Sequence, residues 1–296
     1  MNAKFTQNAI DVCGEEGRKW LNDLPRIIAE IERNWLLTVE KPFRNLSYNF
    51  VAPCIRADGS EAVLKIALPL ENPEILNEAR FLQMTDGIGA AKLFELDESR
   101  RAILLERLTP GENLKEVCRE NEIEAVEIAI PLLTELIKMP PENHSFRTLE
   151  EWFDNFFTKA PKTNFPTEIQ NKARRTYEQL SSNSKKYLIH GDFHHENILS
   201  ATRKPFLAID PKGIIGEIGY EIAVFLNNHL WWLTGQQNLR AKLDLAVRRF
   251  SEAFEIAPAD LCKWACAQMI LSAWWTFEDN GANWEAELAF AEFWEV

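Results

Sequence analysis

The sequence predicts an α+β fold with two lobes. The chain has 296 residues, of which 46% are hydrophobic, so it can bury a substantial core and is long enough for two lobes. Short strand-like runs follow one another through residues 35–106, and the pattern turns mostly helical after Pro110-Gly111. We therefore expect a small N-terminal lobe, residues 1–108, with an antiparallel sheet of about five strands plus a helix, and a larger, mostly helical C-terminal lobe, residues 109–296.

The predicted N-terminal lobe begins with a helix and continues as strands. Residues 15–34 carry apolar side chains at helical spacing, namely Trp20, Leu24, Ile27, Ile28 and Ile31. The strand-like runs that follow are Trp35–Val39, Tyr48–Val51, Ala62–Ala67, Ala91–Leu96 and Ala102–Glu106. Asp58-Gly59 separates the second run from the third, and this dipeptide between β-rich runs predicts a hairpin.

A helix is expected between the third and fourth strands. Asn72 would be its N-cap and Pro73 its first residue. Ile75, Ala79 and Leu82 form an apolar stripe along this helix, and Glu78 lies beside the stripe. Lys65, in the third strand, is flanked by apolar residues, so it is either a surface residue with its stem along the sheet or a functional lysine paired with Glu78. Glu74, one turn earlier, is the competing partner.

The C-terminal lobe starts with the segment Leu104–Gly111, which leaves the sheet and turns. The helical pattern of residues 116–139 contains Pro131, so a kink or two separate helices are expected there. Pro140-Pro141 ends this pattern, and residues 149–157 and 168–180 continue as helices.

The most informative chemistry lies in a polar loop between two apolar runs. Asp192 and Asn197 stand five residues apart in this loop, and Asp210 ends the strand-like run Pro205–Ile209. This order suits phosphoryl transfer, because one carboxylate accepts the proton of an attacking hydroxyl and a carboxamide five residues later holds Mg²⁺. A second carboxylate at the next strand end also binds the metal.

These residues carry a resemblance to a known family. His190-Gly191-Asp192, Asn197 and Asp210 resemble the catalytic and metal-binding loops of the aminoglycoside phosphotransferase superfamily, which has the protein-kinase-like fold. The longer string from His190 to Asn197, with Ala208–Lys212 and Gly216–Glu221, is similar to the streptomycin 6-kinase and hydroxyurea phosphotransferase branch. The similarity extends from about Leu36 to the C-terminus.

The resemblance implies an ATP-dependent small-molecule kinase that uses Mg²⁺. ATP would lie in the cleft between the lobes, with Lys65 at its α and β phosphates and Glu78 as the partner of Lys65. Asn197 and Asp210 would ligate Mg²⁺, and Asp192 would orient the acceptor hydroxyl and take its proton. The acceptor would be a streptomycin-like aminoglycoside or hydroxyurea, which gives antibiotic resistance. Other relatives phosphorylate choline, homoserine, methylthioribose and similar alcohols, so these acceptors stay open.

Two nucleotide contacts follow from the same resemblance. Backbone groups from Glu106 to Leu108 would bind the adenine edge, although an ordinary strand-to-helix connection is an equal alternative. No Gly-x-Gly-x-x-Gly pattern precedes Lys65, and the corresponding loop reads Pro42 to Ser47. Its backbone N–H groups and the Ser47 hydroxyl would hold phosphate there. The departure argues against a protein kinase.

Residues after the metal loop are the candidates for acceptor binding. From Glu217 onward the chain has 12 Asp and Glu against 5 Lys and Arg, a local charge of 5 − 12 = −7, and it carries seven of the ten tryptophans. Such a lobe suits a hydroxylated cation, but packing in the core and exposure to water are the commoner fates of these side chains. Glu217, Glu221 and His195 are the named candidates. Glu221 could instead be a buried carboxylate that braces the catalytic loop, and His195 could simply pack.

Two other classes of function are compatible with parts of the sequence. His190, Asp192, His194 and His195 crowd one loop, as in zinc hydrolases, but the only other histidines are His144 and His229. A kinase-like binding module without catalysis would normally lack the base or a metal ligand. This chain has the base candidate, Asp192, and both metal-ligand candidates, Asn197 and Asp210.

Composition restricts the partners and the compartment. The net charge of −12 disfavours nucleic acid as a partner, and no run of apolar residues is long enough to cross a membrane. Five cysteines without Cys-x-x-Cys spacing indicate reduced thiols, and no secretory leader is evident, so a cytoplasmic protein is expected. The sequence does not indicate an oligomeric state.

Overall fold

A computed structural model describes residues 3–71, 73–119, 121–182, 184–228, 230, 238–280 and 283–294. The chain forms two compact units. The first comprises Met1–Gly111 and Ser200–Lys212, and the second comprises Glu112–Leu199 and Gly213–Val296. The predicted lobe boundary at residues 108 and 109 lies close to the end of the first segment, but it places the returning segment, 200–212, in the other lobe.

The first unit contains the predicted antiparallel sheet. Its five strands have the order β1-β2-β3-β5-β4, and each neighbouring pair is antiparallel. The strands are β1 Leu37–Val39, β2 Phe50–Arg56, β3 Glu61–Ile66, β4 Leu93–Asp97 and β5 Ala102–Glu106. The hairpin predicted at Asp58-Gly59 joins β2 to β3, where Gly59 has a φ of 80° and Asp58 Oδ1 accepts a hydrogen bond from the Ser60 N–H.

Helix α1, Ala3–Trp35, begins twelve residues before the predicted start. Gly14, with φ 57° and ψ −130°, interrupts it, which explains why the periodicity at residues 15–34 does not continue through the earlier turns. Phe5, Ala9, Trp20, Leu24 and Ile31 are buried in one hydrophobic cluster with residues of the sheet. The helix therefore covers apolar surface of the first unit.

Helix α2, Ile75–Thr85, begins later than predicted. Asn72 lies outside the described residues, and the expectation that Pro73 is the first helical residue is wrong. The Pro73 carbonyl instead accepts from the Leu76 N–H in a turn, and Glu74 occupies the N-cap position without a side-chain hydrogen bond. The shift places Glu78 in the first turn of the helix.

The second unit is mostly helical, as expected. Its helices include α3 Leu114–Cys118, α4 Glu122–Leu136, α5 Leu149–Lys159, α6 Thr167–Ser181, α7 Ile218–Asn228, α8 Leu239–Phe254, α9 Pro258–Asn280 and α10 Trp284–Phe293. The division into two helices that was expected at Pro131 is not found there, because Pro131 lies inside the continuous helix α4; residues 116–139 are instead interrupted between α3 and α4. Asn121 marks the start of α4, because its side chain caps this helix by accepting from the Glu124 N–H.

Short strands complete the structure. They are β6 Pro110–Asn113, β7 Arg147–Thr148, β8 Tyr187–Ile189, β9 Ile198–Ala201, β10 Phe206–Ala208 and β11 Ile214–Gly216. They form two sheets with the orders β10-β9-β6 and β7-β11-β8. Strand β8 runs antiparallel to β11 and leads directly into the polar loop at His190.

The C-terminal aromatic residues lie largely in the core of the second unit. Trp264, Trp274 and Trp294 are buried, and Trp274 contacts the rings of Phe156 and Phe165. Trp231 and Trp232 lie outside the described residues. In the part of the chain that the structure describes, no helix combines the length and the apolar character needed to cross a membrane.

Glu122, at the start of α4, should make stability depend on pH. Burial raises the pKa of its carboxyl to about 9, and Lys242 only partly opposes this shift. Because the unfolded chain releases this proton near pH 4.3, unfolding becomes more favourable as the pH rises from about 4 to 9. We expect Glu122→Gln to raise the melting temperature at pH 8 by several degrees and to leave it nearly unchanged at pH 4.

The matched control is Glu124→Gln, two residues later in the same helix, where the carboxylate is exposed. Its melting temperature should follow the wild-type curve throughout. Thermal unfolding of the three proteins between pH 4 and 9 tests this, and equal pH slopes for wild type and Glu122→Gln would contradict it.

Candidate active site

Lys65 is held in the first unit by two carboxylates. Strand β3 places its side chain in a buried position, where Lys65 Nζ lies 2.6 Å from Glu78 Oε2 and also donates to Asp210 Oδ1. Burial alone would lower the pKa of Lys65, but the charges of Asp210 and Glu78 outweigh it and raise the pKa above its ordinary value. The lysine is therefore a fixed buried cation rather than a surface residue.

The structure also resolves the choice between Glu78 and Glu74. Glu74 pairs with Lys212, with 2.8 Å between Oε2 and Nζ, and Glu78 pairs with Lys65. Burial raises the pKa of Glu78 to about 7, and the positive charge of Lys65 opposes this shift. Both ion pairs lie in the first unit, because Asp210 and Lys212 belong to its returning segment.

Asp210 combines an unusual backbone with an accessible carboxylate. Its φ is 58°, in the left-handed region, where Asp and Asn are commoner than other non-glycine residues. Its side chain is 49% exposed even though it accepts from Lys65. A residue held in a disfavoured conformation beside a buried cation is a candidate for function.

Arg203 fixes the returning segment within the first unit, a role that we did not predict. Its guanidinium donates to both Glu106 oxygens, at 3.0 and 2.8 Å, and to the carbonyls of Gly87 and Ala90. Ala208 extends the attachment through its backbone, which bonds to Gly89 and Ala91. These contacts place the strand that precedes Asp210. The sequence offers no signal for them, because Arg203 lies in an ordinary polar turn far along the chain.

The other residues of the first unit that were predicted to contact the nucleotide are Glu106, Leu108 and Ser47. The Glu106 carboxylate is engaged by Arg203, and its backbone N–H donates to the Lys92 carbonyl, so this N–H does not face a ligand. Leu108 lies between β5 and β6, just before the cis peptide Thr109-Pro110. Ser47 is exposed, and its carbonyl accepts from Asn8 Nδ2 at 3.0 Å.

In the second unit, the polar loop brings Asp192 and Asn197 together. Asn197 Nδ2 donates to the Asp192 carbonyl at 2.9 Å and lies 3.4 Å from Asp192 Oδ2. His194 Nε2 lies 3.6 Å from Asp192 Oδ1. The Asp192 side chain is 34% exposed, whereas Asn197 is buried. The Asp192 carboxylate is thus partly exposed to solvent, and the Asn197 carboxamide holds the loop backbone through its hydrogen bond to the Asp192 carbonyl.

Glu221 holds this loop through hydrogen bonds from the loop backbone. The carboxylate is fully buried in α7 and accepts from the Gly191 N–H through both oxygens, at 3.1 and 2.8 Å. Burial raises the pKa of Glu221 to about 8, an effect that the Gly191 hydrogen bonds oppose. Gly191 has a φ of 82°, so the turn requires glycine and the carboxylate holds it in place. This geometry is the one expected if Glu221 braces the catalytic loop rather than binding the acceptor.

The other two candidate residues of the second unit, His195 and Glu217, are buried. His195 is 1% exposed and stacks on Phe225, with 4.0 Å between ring centroids. Glu217 is 2% exposed and accepts from Ser184 Oγ at 2.9 Å. Because Glu217 follows β11, whose last residue pairs with Tyr187 at the start of β8, it lies at the opposite end of that strand from Asp192. These placements disfavour acceptor contacts for both residues.

The structure gives little support to a zinc site in this loop. His190 and His195 are buried, and His190 Nδ1 accepts from the Asp192 N–H. Within the described ranges, no group of three or more His, Cys, Asp and Glu side chains is placed to hold a metal ion. His229 lies outside those ranges.

Comparison with known structures identifies the fold. A choline/ethanolamine kinase family protein from Mesorhizobium loti superposes with a TM-score of 0.66 at 13% identity, covering 93% of this chain and 94% of the other. A choline kinase from Streptococcus pneumoniae superposes with a TM-score of 0.64 at 13% identity, covering 92% and 98%. The protein-kinase-like fold expected from the sequence is confirmed.

Sequence comparison identifies the family. The chain is 29% identical to streptomycin 6-kinase of Streptomyces griseus over 279 residues, covering 90% of this chain and 87% of the relative. It is 30% identical to hydroxyurea phosphotransferase of Kitasatospora aureofaciens over 298 residues, covering 98% and 84%. The profile of the aminoglycoside/hydroxyurea antibiotic resistance kinases matches residues 34–281. The protein is an enzyme that phosphorylates small molecules, and it belongs to the aminoglycoside/hydroxyurea antibiotic resistance kinase family.

Proposed function

We propose that the protein transfers the γ-phosphate of ATP to a hydroxyl of a streptomycin-like aminoglycoside or of hydroxyurea, and so gives resistance. The observation that carries the proposal is the buried ammonium of Lys65 held by Glu78 and Asp210. A desolvated lysine with a fixed position suits the binding of phosphate oxygens. Phosphorylation of another small alcohol, such as choline, homoserine or methylthioribose, is the alternative within the same chemistry.

The first unit supplies charge for the nucleotide. Lys65 would neutralise the α and β phosphates, and Glu78 would keep its side chain in position. Asp210 would ligate Mg²⁺ with the carboxylate oxygens that its exposure leaves accessible. Adenine contacts by backbone groups near Glu106 and Leu108, and a phosphate contact by the Ser47 hydroxyl, are further parts of the proposal. Of these groups, the Glu106 N–H is already paired.

The second unit supplies the groups for proton transfer. Asp192 would orient the acceptor hydroxyl in line with the γ phosphorus and receive its proton, which moves late in a loose transition state. Asn197 would contribute its carboxamide oxygen to Mg²⁺, because its nitrogen already donates to the Asp192 carbonyl. Glu221 would act as a positioning residue through Gly191 rather than as an acceptor contact.

The residues present fit magnesium rather than a softer metal. Asp210 and Asn197 both offer oxygen ligands, which Mg²⁺ prefers, and one or two protein ligands are usual where phosphate and water complete the shell. When bound, the ion would neutralise the charge of the β and γ phosphates.

The acceptor is expected to be a hydroxylated cation. Streptomycin, for which one of the relatives is named, is a hydroxylated cation, whereas hydroxyurea, for which another is named, is neutral; the local charge of −7 from Glu217 onward favours the cation. Carboxylates other than the buried Glu217 and Glu221 would provide the ion pairs, because these two are already engaged. Partly exposed ion pairs weaken with salt, so the KM for a cationic acceptor should rise with ionic strength.

The proposal predicts that the protein binds MgATP and that it transfers phosphate selectively to one class of acceptor. Calorimetry should detect ATP binding that requires Mg²⁺, and MgATP at about 100 times its Kd should stabilise the fold by about 2.7 kcal/mol. Phosphate transfer should then be measured to streptomycin, hydroxyurea, choline, homoserine and methylthioribose at low and high ionic strength.

Faster phosphate transfer to streptomycin or hydroxyurea than to the other acceptors supports the proposal. Transfer to choline, homoserine or methylthioribose alone would instead support the alternative function. An absence of both nucleotide binding and thermal stabilisation would refute the ATP-dependent mechanism.

A further inference from the structure

The loop between β1 and β2, residues 40–49, lies at the end of the sheet nearest Lys65. Val51, near the start of β2, is directly opposite Lys65, and the Phe43 N–H donates to the Val51 carbonyl at 3.1 Å. The part of the loop that is proposed to hold phosphate, residues 42–47, contains no glycine. A shift of this loop would move its backbone N–H groups relative to the Lys65 ammonium.

Two contacts fix the loop to the beginning of α1. Leu46 is buried in the same hydrophobic cluster as Phe5 and Ala9. The next residue, Ser47, is exposed, and its carbonyl accepts from Asn8 Nδ2 at 3.0 Å. The Asn8 carboxamide therefore holds the backbone of an exposed residue whose neighbour is anchored in the core.

Residues 3–13, the N-terminal segment, fold back on the rest of α1. Eight residues of continuous helix span about 12 Å, yet a Cβ on Gly17 would lie 2.0 Å from the Ala9 carbonyl oxygen. Phe5 and Trp20 are farther apart in the sequence, and their ring centroids lie 5.9 Å apart. Glycine at position 17 thus allows the N-terminal segment to pack directly on the helix that follows it.

A loop that is already held in the free protein loses less conformational entropy when it binds a ligand. The N-terminal segment can supply this order, because it is fixed to α1 on one side and contacts Leu46 and Ser47 on the other. It precedes the residues that the family profile matches, 34–281.

We propose that the N-terminal segment positions the loop for nucleotide phosphates, and that Asn8 is the positioning residue, acting through the Ser47 backbone. The inference rests on the proposed function, because it takes residues 42–47 to bind phosphate. The ligands affected are nucleotides that carry a phosphate chain. The affinity for a nucleoside without phosphate does not depend on this loop.

The first test compares Asn8→Ala with the wild type, using the full chain and two probes, MgATP and adenosine. Alanine favours helix, so the substitution removes the hydrogen bond to Ser47 without weakening the helical segment. Calorimetry should show a Kd for MgATP that is about threefold to tenfold higher, the range of one net hydrogen bond, and a Kd for adenosine that changes less than about twofold. Amide hydrogen exchange of residues 43–49, measured without nucleotide, should become faster.

Gln7→Ala is the matched control, because it removes the same carboxamide group from the neighbouring position. Gln7 Nε2 donates to Asp11 Oδ1 at 2.7 Å, within the N-terminal segment itself, and the residue is exposed. Both Kd values and the exchange of the loop should stay at the wild-type values.

Gly17→Ala displaces the segment by a different route. Its Cβ would meet the Ala9 carbonyl oxygen, a backbone atom that cannot rotate away, so the N-terminal segment has to move. MgATP binding should weaken at least as much as in Asn8→Ala, and adenosine binding should again be retained. If Gly17→Ala does not fold, as judged by circular dichroism, the comparison of Asn8→Ala with Gln7→Ala decides the question.

The readouts separate failure of this inference from failure of the proposed function. Loop exchange that Asn8→Ala leaves unchanged would overturn the inference, and so would faster exchange with an unchanged Kd for MgATP; both results leave the proposed function standing. Equal weakening of MgATP and adenosine would indicate general damage to the nucleotide site and would also overturn the inference. A wild-type protein that does not bind MgATP would refute the proposed function, and this inference with it.

Discussion

Replacing Asp192 by Asn is expected to lower kcat by about 10²- to 10⁴-fold, the usual contribution of a positioned general base. The affinity for MgATP should stay nearly unchanged. Asn retains the size of the side chain, and the hydrogen bond from Asn197 goes mainly to the Asp192 backbone carbonyl, which the substitution keeps. The measurement is steady-state transfer to the best acceptor of the panel, together with calorimetry of MgATP binding.

Glu196→Gln is the matched control for this substitution. Its carboxylate lies in the same loop, is 47% exposed and pairs with Lys115 at 3.2 Å. An exposed ion pair of this kind contributes little, so kcat should change less than about threefold. If Asp192→Asn remains folded but loses MgATP binding as severely as turnover, its role as the base is wrong.

Local signals predicted the elements of the first unit well. The Asp58-Gly59 hairpin and the alternating runs on either side of it depend on residues close in sequence, so the five-strand antiparallel sheet could be expected before the structure. The start of α2 was harder, because Pro73 suits both the first residue of a helix and the turn that precedes one. That ambiguity also explains why Glu74 and Glu78 could not be separated from the sequence.

The roles of distant residues could not be predicted for a different reason. Glu217 and Glu221 are both acceptor candidates in the sequence, with bracing of the loop as an alternative for Glu221, yet the sequence does not show that Glu217 accepts from Ser184 while Glu221 holds Gly191. The difference arises from the antiparallel pairing of β8 with β11, which depends on contacts across the fold. Arg203 is a similar case, because its four hydrogen bonds reach residues about 100 positions earlier in the chain.

The electrostatics of the first unit indicate where a metal ion would act. Lys65 carries one positive charge and contacts two carboxylates, so this cluster keeps an excess of negative charge when both are ionised. Glu78 is buried, whereas the Asp210 carboxylate is half-exposed. A divalent cation would therefore be bound by Asp210, and Lys65 would keep its pair with Glu78.

Asp210→Asn is accordingly expected to weaken MgATP binding by about tenfold or more, because it removes a charged ligand of the metal. The fold should persist, since Asn tolerates the left-handed backbone at this position and Lys65 still pairs with Glu78. In the wild type, chelation of Mg²⁺ should sharply reduce ATP affinity. In Asp210→Asn the affinity should be low with or without Mg²⁺, which distinguishes loss of the metal ligand from general damage to the nucleotide site.

Glu74→Gln provides the comparison for this variant, because Glu74 also pairs with a residue of the returning segment, Lys212, at 2.8 Å. This pair is exposed, so the substitution should leave both the Kd for MgATP and its dependence on Mg²⁺ close to the wild-type values. Calorimetric titrations of the three proteins with ATP, with and without Mg²⁺, make the comparison. A folded Asp210→Asn that binds MgATP as tightly as the wild type, with the same Mg²⁺ dependence, would exclude Asp210 as the metal ligand. The Asp210 carboxylate would then have only a structural role, as a partner of Lys65.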